Sequence, residues 1–312
     1  MRALPDTWYG AIRTRVSRRV YDGRPLTAAA SKEMQAFCTE FRPFSDVRVV
    51  LIEDEHLDAF SKVRGGYGHI TNPAAMLVFV GSNKALDASL HAGYVGEAAI
   101  LEATSLGLDT CWTHRFFSPS KLSHYLTLEL GERIFAATPI GKAVETPTVG
   151  ERLAASLFKS RHRKPIETLA TPDCLAFSGG MYVPMIEAVR LAPSPMNRQI
   201  WRFGLEKKRV ILSTADAPEI AGLSKRVDCG IAMLHFEIAA QACGLRGRWI
   251  PASPPAVAEW EADFVLVGNP VPSRSAVKPD LPTLALPNSI DLRCPLASTT
   301  TAKVASVAPV FK

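Results

Sequence analysis

The sequence predicts an α+β fold of mixed, mostly antiparallel sheets packed by long helices, arranged as two pseudo-symmetric halves of one chain. Three observations carry that expectation. The stretch from His91 to Trp112 aligns without gaps, at a fixed offset of 137, with the stretch ending at Trp249. Each copy reads as a long apolar helix stopped by a Gly-Leu pair and followed by a strand. Apolar strands flank the two helices in the same order. A period of this length is too long for a solenoid and implies two tandem copies of one domain.

The elements follow in order. A short helix over Trp8–Arg13 runs into a basic cluster, and the apolar run from Ala74 to Gly81 reads as a buried strand. The long helix from His91 follows, with Gly93, Ala103, Gly107-Leu108 and Trp112 meeting Gly230, Ala240, Gly244-Leu245 and Trp249 of the second copy. Residues 135–141 read as a strand ending in Gly, matched by Phe264–Gly268. The second copy opens at Ala155–Pro165, which resembles Ala11–Tyr21 in running a helix end into cations. It continues with a helix over Met185–Leu191 and strands from Trp201 and Arg209. Thr146–Arg161 is the expected junction. The resulting division is residues 1–150, residues 151–286, and a tail at 287–312 that is expected to fray.

Composition narrows the class. Apolar residues make up 47% of the 312 and charged residues 21%, which excludes wholesale disorder. A net charge of +6 and a pI near 9.0 suit an anionic ligand, and equally a mildly basic soluble protein. The six cysteines show no C-x-x-C, metal spacing or disulfide rhythm, so they read as reduced thiols in a cytoplasmic protein. No secretory signal or bilayer-spanning run is expected, because no apolar stretch reaches about 18 residues. The arginine-rich segments lack the aromatic interleaving of a nucleic-acid module.

Two clusters could carry chemistry. Arg15, Ser17 and Arg19, with Val16 and Arg18 between them, set cationic forks and a hydroxyl close together. Such a group grips phosphate, and it also reads as a solvated basic face. The second cluster is the turn at Pro193, Ser194, Pro195, Asn197 and Gln199, where prolines stop a helix ahead of Trp201. Its hydroxyl and amides could read the N–H and C=O edge of a heterocycle, or could cap their own backbone. The 65–70 segment fits neither a dinucleotide nor a Walker loop and reads as a loop that could line a site with Tyr67 and His69. The histidines show no metal pairing, and no serine nucleophile elbow is present.

Together, R-x-S-x-R after the first helix, P-S-x-x-N-x-Q-x-W entering a strand, and G-L-x-x-x-W after a long helix resemble the flavin-dependent nitroreductase family. The resemblance covers about residues 8–272 and is closer to the single-chain branch in which two nitroreductase-like halves are fused. In that family, FMN sits between two subunits, one holding the phosphate with R-x-S-x-R and the other covering the ring with P-S-x-x-N. Here the first half keeps the grip, while its 41–47 stretch lacks the Asn and Gln of the turn. The second half keeps the turn, while Lys159, Arg161 and Arg163 replace the grip. The resemblance therefore implies one FMN per chain and one degenerate site.

The resemblance also implies roles. Arg15, Val16, Ser17 and Arg19 bind the phosphate side, with Arg161 and Arg163 as further phosphate ligands. Arg19 and Asn197 lie near the pyrimidine edge and N1. Thr113, His114 and Arg115 stand where backbone donors face N5, with Arg115 departing from the family's Gly. The implied activity is hydride transfer from NAD(P)H through FMN to a nitro, quinone or other conjugated acceptor, with no nucleic-acid or membrane partner. The fused halves favour a monomer over a homodimer. Relatives of other chemistry, such as dehydrogenases and dehalogenases, and a cofactor-less pseudoenzyme remain alternatives.

Overall fold

Two four-stranded antiparallel sheets, with strand orders β1-β2-β4-β3 and β5-β6-β8-β7, form the frame of the computed structural model. The structure describes residues 4–54, 60, 70–113, 119–122, 124–157, 162–215 and 224–262. The first sheet contains β1 (Val47–Ile52), β2 (Ala75–Ser82), β3 (Asp109–Thr110) and β4 (Glu132–Gly141). The second contains β5 (Trp201–Glu206), β6 (Arg209–Thr214), β7 (Gly247–Pro251) and β8 (Ala256–Ala262). Helices α1 (Thr7–Thr14), α2 (Ala28–Glu40), α3 (Ala88–Ser105) and α4 (Pro119–Leu122) accompany the first. Helices α5 (Val149–Leu157), α6 (Ile166–Leu169), α7 (Pro172–Ala176), α8 (Val183–Arg190) and α9 (Lys225–Ala242) accompany the second.

Strand character follows burial. β2 is buried along nearly its whole length and lies between β1 and β4, so its apolar run needs no alternation. β5 buries Trp201 and Phe203, and β6 buries Val210 and Leu212, the period of two of half-buried strands. A register shift falls at Phe79/Val80 between β2 and β4, and at Leu212/Ser213 between β6 and β8, so each sheet is irregular at its central pair.

The long helices α3 and α9 are each buried almost throughout. They cross where side chains are absent. A Cβ on Gly93 would lie 2.0 Å from the Val227 carbonyl oxygen, and one on Gly230 would lie 1.9 Å from that of Leu90. Both the two glycines and the two partners are 137 apart in sequence, so the contact is reciprocal. Both helices end in the same motif. Leu108 N–H donates to Ala103 O at 2.9 Å and Leu245 N–H to Ala240 O at 2.8 Å. Gly107 and Gly244 take the left-handed φ that this stop requires, +72° and +74°.

One apolar cluster runs from Leu4 to Trp260 through both sheets and both long helices. Polar ties also cross it: Tyr94 Oη donates to Glu237 Oε2 at 2.9 Å, linking α3 to α9. Tyr94 and burial oppose each other at Glu237: burial raises its pKa to about 7, while the tyrosine hydrogen bond pulls it down.

The strand that takes the place of β4 in the second sheet is β8, Ala256–Ala262, whereas Phe264–Gly268 lies outside the described residues. β8 is a poorer match by sequence because Glu259 and Glu261 interrupt it, yet Val257 and Trp260 face inward. The boundary expected at 150 falls inside α5, a helix begun by Thr148. The two parts share a core across α3 and α9, so neither buries its long helix alone. The loop around Tyr67 and the tail at 287–312 lie outside the described residues.

Candidate functional site

The chain leaves α1 at Arg15 in an extended conformation and is fixed on several sides. Arg18 N–H donates to Thr110 O at 2.9 Å, Thr71 N–H to Arg19 O at 3.0 Å, and Tyr21 N–H to Thr71 O at 3.0 Å. Tyr21 is fully buried, and its hydroxyl donates to Arg18 O at 2.8 Å. Burial pushes its phenol well above the usual tyrosine range. Extended backbone alternates its side chains, which separates Arg15, Ser17 and Arg19 from Val16 and Arg18. The first three converge on Cys111. Burial pushes that thiol up, and the charges of Arg19 and Arg15 and the Ser17 hydroxyl pull it back. Val16 is exposed.

The Arg15 guanidinium is the least ordinary group here. Its side chain is 6% exposed, and its nearest carboxylate, Glu97 Oε1, is 3.8 Å from Nε, beyond hydrogen-bond reach. Nε and Nη1 have no hydrogen-bond partner among the described residues. A buried guanidinium with unused donors is costly, and an anion with several oxygens is what its geometry fits.

Glu97 is 0% exposed and ties three elements together. Its Oε2 accepts from Trp112 Nε1 at 2.6 Å, and its Oε1 lies 2.9 Å from His235 Nε2 on α9. The other imidazole nitrogen, Nδ1, is 3.0 Å from the Ala188 carbonyl of α8. A carbonyl only accepts, so Nδ1 carries the hydrogen that faces it.

The second motif begins where α8 ends. Three residues without the freedom of glycine adopt left-handed backbone in one turn: Met196 at φ +51°, Asn197 at +54° and Gln199 at +46°. Hydrogen bonds over-determine it. Ser194 Oγ accepts from Gln199 N–H at 2.9 Å, and Asn197 N–H donates to Ser194 O at 2.9 Å. Asn197 Nδ2 donates to His162 O at 2.6 Å, and Arg163 Nη1 donates to Asn197 Oδ1 at 2.7 Å. Gln199 is 1% exposed; its Oε1 accepts from Lys164 N–H at 3.0 Å and its Nε2 donates to Asn197 Oδ1 at 3.1 Å. Pro193 and Pro195 stop the helix on either side of Ser194, and Arg163 donates to the terminal carbonyls of Leu191 and Ala192.

Arg163 joins the two motifs. Burial, followed by repulsion from Arg15 and Arg190, lowers its pKa to about 10. The Arg15 and Arg163 guanidinium charges therefore lie within electrostatic reach of each other, with Arg163 bonded to the turn. Glu151 of α5 adds a carboxylate, with Oε1 accepting from Arg19 N–H at 2.8 Å.

Several expected residues stand differently. Thr113 N–H donates to Ala137 O at 3.0 Å, and its hydroxyl donates to the same carbonyl at 2.7 Å. It anchors the strand end, and its amide is not the free N5-side donor expected of it. Gln199 is enclosed in the turn rather than presented by it. His114, Arg115, Lys159 and Arg161 lie outside the described residues. The motifs also left Glu97, His235 and Glu151 unassigned. A polar side chain within an apolar helix pattern is the available signal for the first two, and the T-x-x-E capping pattern for the third. Among the described residues no group of His, Cys, Asp or Glu could hold a metal, and no helix is long and apolar enough to cross a membrane. The five described cysteines are buried and unbridged.

Comparison with known proteins agrees with this frame. A sequence model of the family described as "Putative TM nitroreductase" matches residues 7–240, and the chain belongs to this nitroreductase family of oxidoreductases. The fold is similar to the crystal structure of a Thermotoga maritima protein described in the same terms. The identity there is 19% and the TM-score 0.55, over 83% of this chain and 95% of that one. A Clostridium difficile R20291 protein named an FMN-dependent nitroreductase is 19% identical, with a TM-score of 0.38 over 45% of this chain and 89% of its own. A Bacteroides fragilis nitroreductase with bound FMN is 17% identical, with a TM-score of 0.36 over 46% and 91%. No curated protein matches the chain.

Proposed function

We propose that this chain is an FMN-dependent oxidoreductase that takes hydride from NAD(P)H and delivers reducing equivalents to a small conjugated acceptor such as a nitro compound or a quinone. The observation that carries the reading is the buried Arg15 guanidinium, with two unused donors, beside the strained Asn197 turn and Arg163. The family and the residues present fit the phosphate and ring of FMN. When bound, the flavin supplies the hydride-carrying centre.

The protein's own tasks are binding and orientation. Arg15 and Ser17 grip the phosphate, with Arg163 adding charge from the second half. Arg19 and Asn197 face the pyrimidine and N1 side, where a cation favours negative charge. Gln199 acts through the shape of the turn, holding Asn197 Oδ1 and the 162–164 backbone in place. Backbone strain of this kind persists where surroundings over-determine it, and it clusters at ligand clamps.

In this reading the halves are tandem copies, residues 1–150 and 151–286, that together build one site, and the chain works as a monomer. The reciprocal Gly93/Val227 and Gly230/Leu90 contacts and the equivalent strand orders support the duplication. Arg15→Ala combined with Ser17→Ala tests the site. The expected product is folded and colourless after incubation with FMN. A double variant that stays yellow at full stoichiometry overturns the phosphate assignment.

A further inference from the structure

α5 opens with a reciprocal cap. Thr148 Oγ1 accepts from Glu151 N–H at 3.2 Å, and Glu151 Oε2 accepts from Thr148 N–H at 2.9 Å. On an exposed helix the second carboxylate oxygen would face water. Here Glu151 is 7% exposed, and its Oε1 points into the segment after α1. That oxygen accepts from Arg19 N–H at 2.8 Å and Val20 N–H at 3.4 Å, and it lies 3.4 Å from Arg18 Nε. Burial alone would raise the Glu151 pKa, but these backbone donors, that of Thr148 and the Arg18 charge outweigh it, so the group sits below its usual range. A single carboxylate thus starts the helix between the two halves and fastens the backbone that carries the last arginine of the grip.

We infer that Glu151 is a positioning residue: it holds the Arg18–Val20 backbone and neutralises Arg18 on one face, so that Arg19 on the other is aimed at the flavin's pyrimidine side. The inference rests on the proposed function for what Arg19 meets. The arrangement works through the backbone, since the Arg19 and Val20 N–H groups share Glu151 Oε1. If the backbone turns about its axis, Arg18 and Arg19 exchange sides, and the fixed N–H groups prevent that rotation. An amide at 151 replaces the carboxylate only in part: Gln has a single accepting oxygen to divide between the Thr148 N–H and the Arg18–Val20 side, and it carries no charge to pair with Arg18.

The test uses the full-length protein reconstituted with FMN, and compares wild type with Glu151→Gln, Glu151→Ala and Thr148→Ala. Both Glu151 variants are expected to bind FMN about tenfold more weakly, in line with the effect of removing an outer support from a ligand site. They should also shift the two-electron midpoint potential of bound FMN negative by about 30 mV, a tenfold loss of preference for the reduced form. Thr148→Ala loosens the cap but leaves Oε1 on Arg19 and Val20. It should lower the melting temperature while keeping wild-type affinity and potential. Charge alone predicts the reverse sign for Glu151→Gln, since deleting a carboxylate beside arginines favours an anion. Unchanged or tighter binding with an unchanged or positive shift in Glu151→Gln overturns the inference. So does a shift in Thr148→Ala equal to that of the Glu151 variants. A wild-type protein that binds no FMN overturns the proposed function itself, and the clamp with it.

Discussion

The turn at residues 193–199 and the segment at 41–46 each lead into the first strand of a sheet, and they behave differently. In the first, Met196, Asn197 and Gln199 are held in left-handed backbone beside Arg163. In the second, no residue has positive φ. There Phe44 stacks on His91, with ring centroids 3.8 Å apart and planes 6° from parallel, and His91 Nδ1 lies 2.7 Å from Asp46 Oδ1. The helix position facing each segment repeats the contrast. His91 of α3 has both a ring and a carboxylate for company. Its counterpart 137 residues on is Asp228 of α9, whose two oxygens have no hydrogen-bond partner among the described residues. Burial raises the Asp228 pKa to about 8, with Arg198 of the turn pulling the other way. At 41–46 the side chains satisfy one another. At 193–199 the backbone is strained and a buried carboxyl beside it has no hydrogen-bond partner among the described residues, the marks of a place built for a ligand.

The comparison breaks most severely at the feature the halves share. Gly93→Val or Gly230→Val forces a side chain into the opposing helix backbone. Each should cost about 3 kcal/mol or more of stability, above the usual range for overpacking, measured by denaturant unfolding. Comparable losses are expected at both sites, and a tolerated Gly230→Val would show that the crossing is not equivalent. Next in size, Arg15→Ala should weaken FMN binding about 100-fold in an equilibrium titration, the scale of a charge-assisted phosphate contact.

Asp228 sharpens the contrast through pH. Its folded pKa is raised, so the folded chain keeps a proton that the unfolded chain releases. Stability is therefore full below the unfolded value and falls as pH rises toward about 8. Asp228→Asn should flatten the fall in stability between pH 5 and pH 8. A melting curve series with the same pH slope in the variant would place the proton elsewhere. The smallest effect separates the two turns: Asn197→Ala should weaken FMN binding about tenfold, while Ser45→Ala should not change it. Equal losses would mean two working sites.

Much of this was readable in the sequence because it depends on local rules. Gly107-Leu108 and Gly244-Leu245 stop helices by backbone geometry alone, and the prolines at 193 and 195 end α8 for the same kind of reason. The R-x-S-x-R alternation that turns Arg15, Ser17 and Arg19 together is also local. What could not be read is pairing between distant segments. Glu97 meets His235 and Glu151 meets Arg19 only after α3, α5 and α9 have packed. The sequence pattern does not mark β8, because strand status there is decided by pairing with β6 and β7, which overrides its glutamates. Thr113 was expected to offer its amide, and the ladder to Ala137 takes it, a partner 24 residues away.

In the proposed function the arginines at 15–19 and the turn at 193–199 enclose a single flavin. Purified chain saturated with FMN, freed of excess by gel filtration and assayed for flavin and protein, tests it directly. The expected ratio is one FMN per chain, abolished by the paired change at Arg15 and Ser17. A ratio of two, or no retained flavin in the unmodified protein, would contradict it.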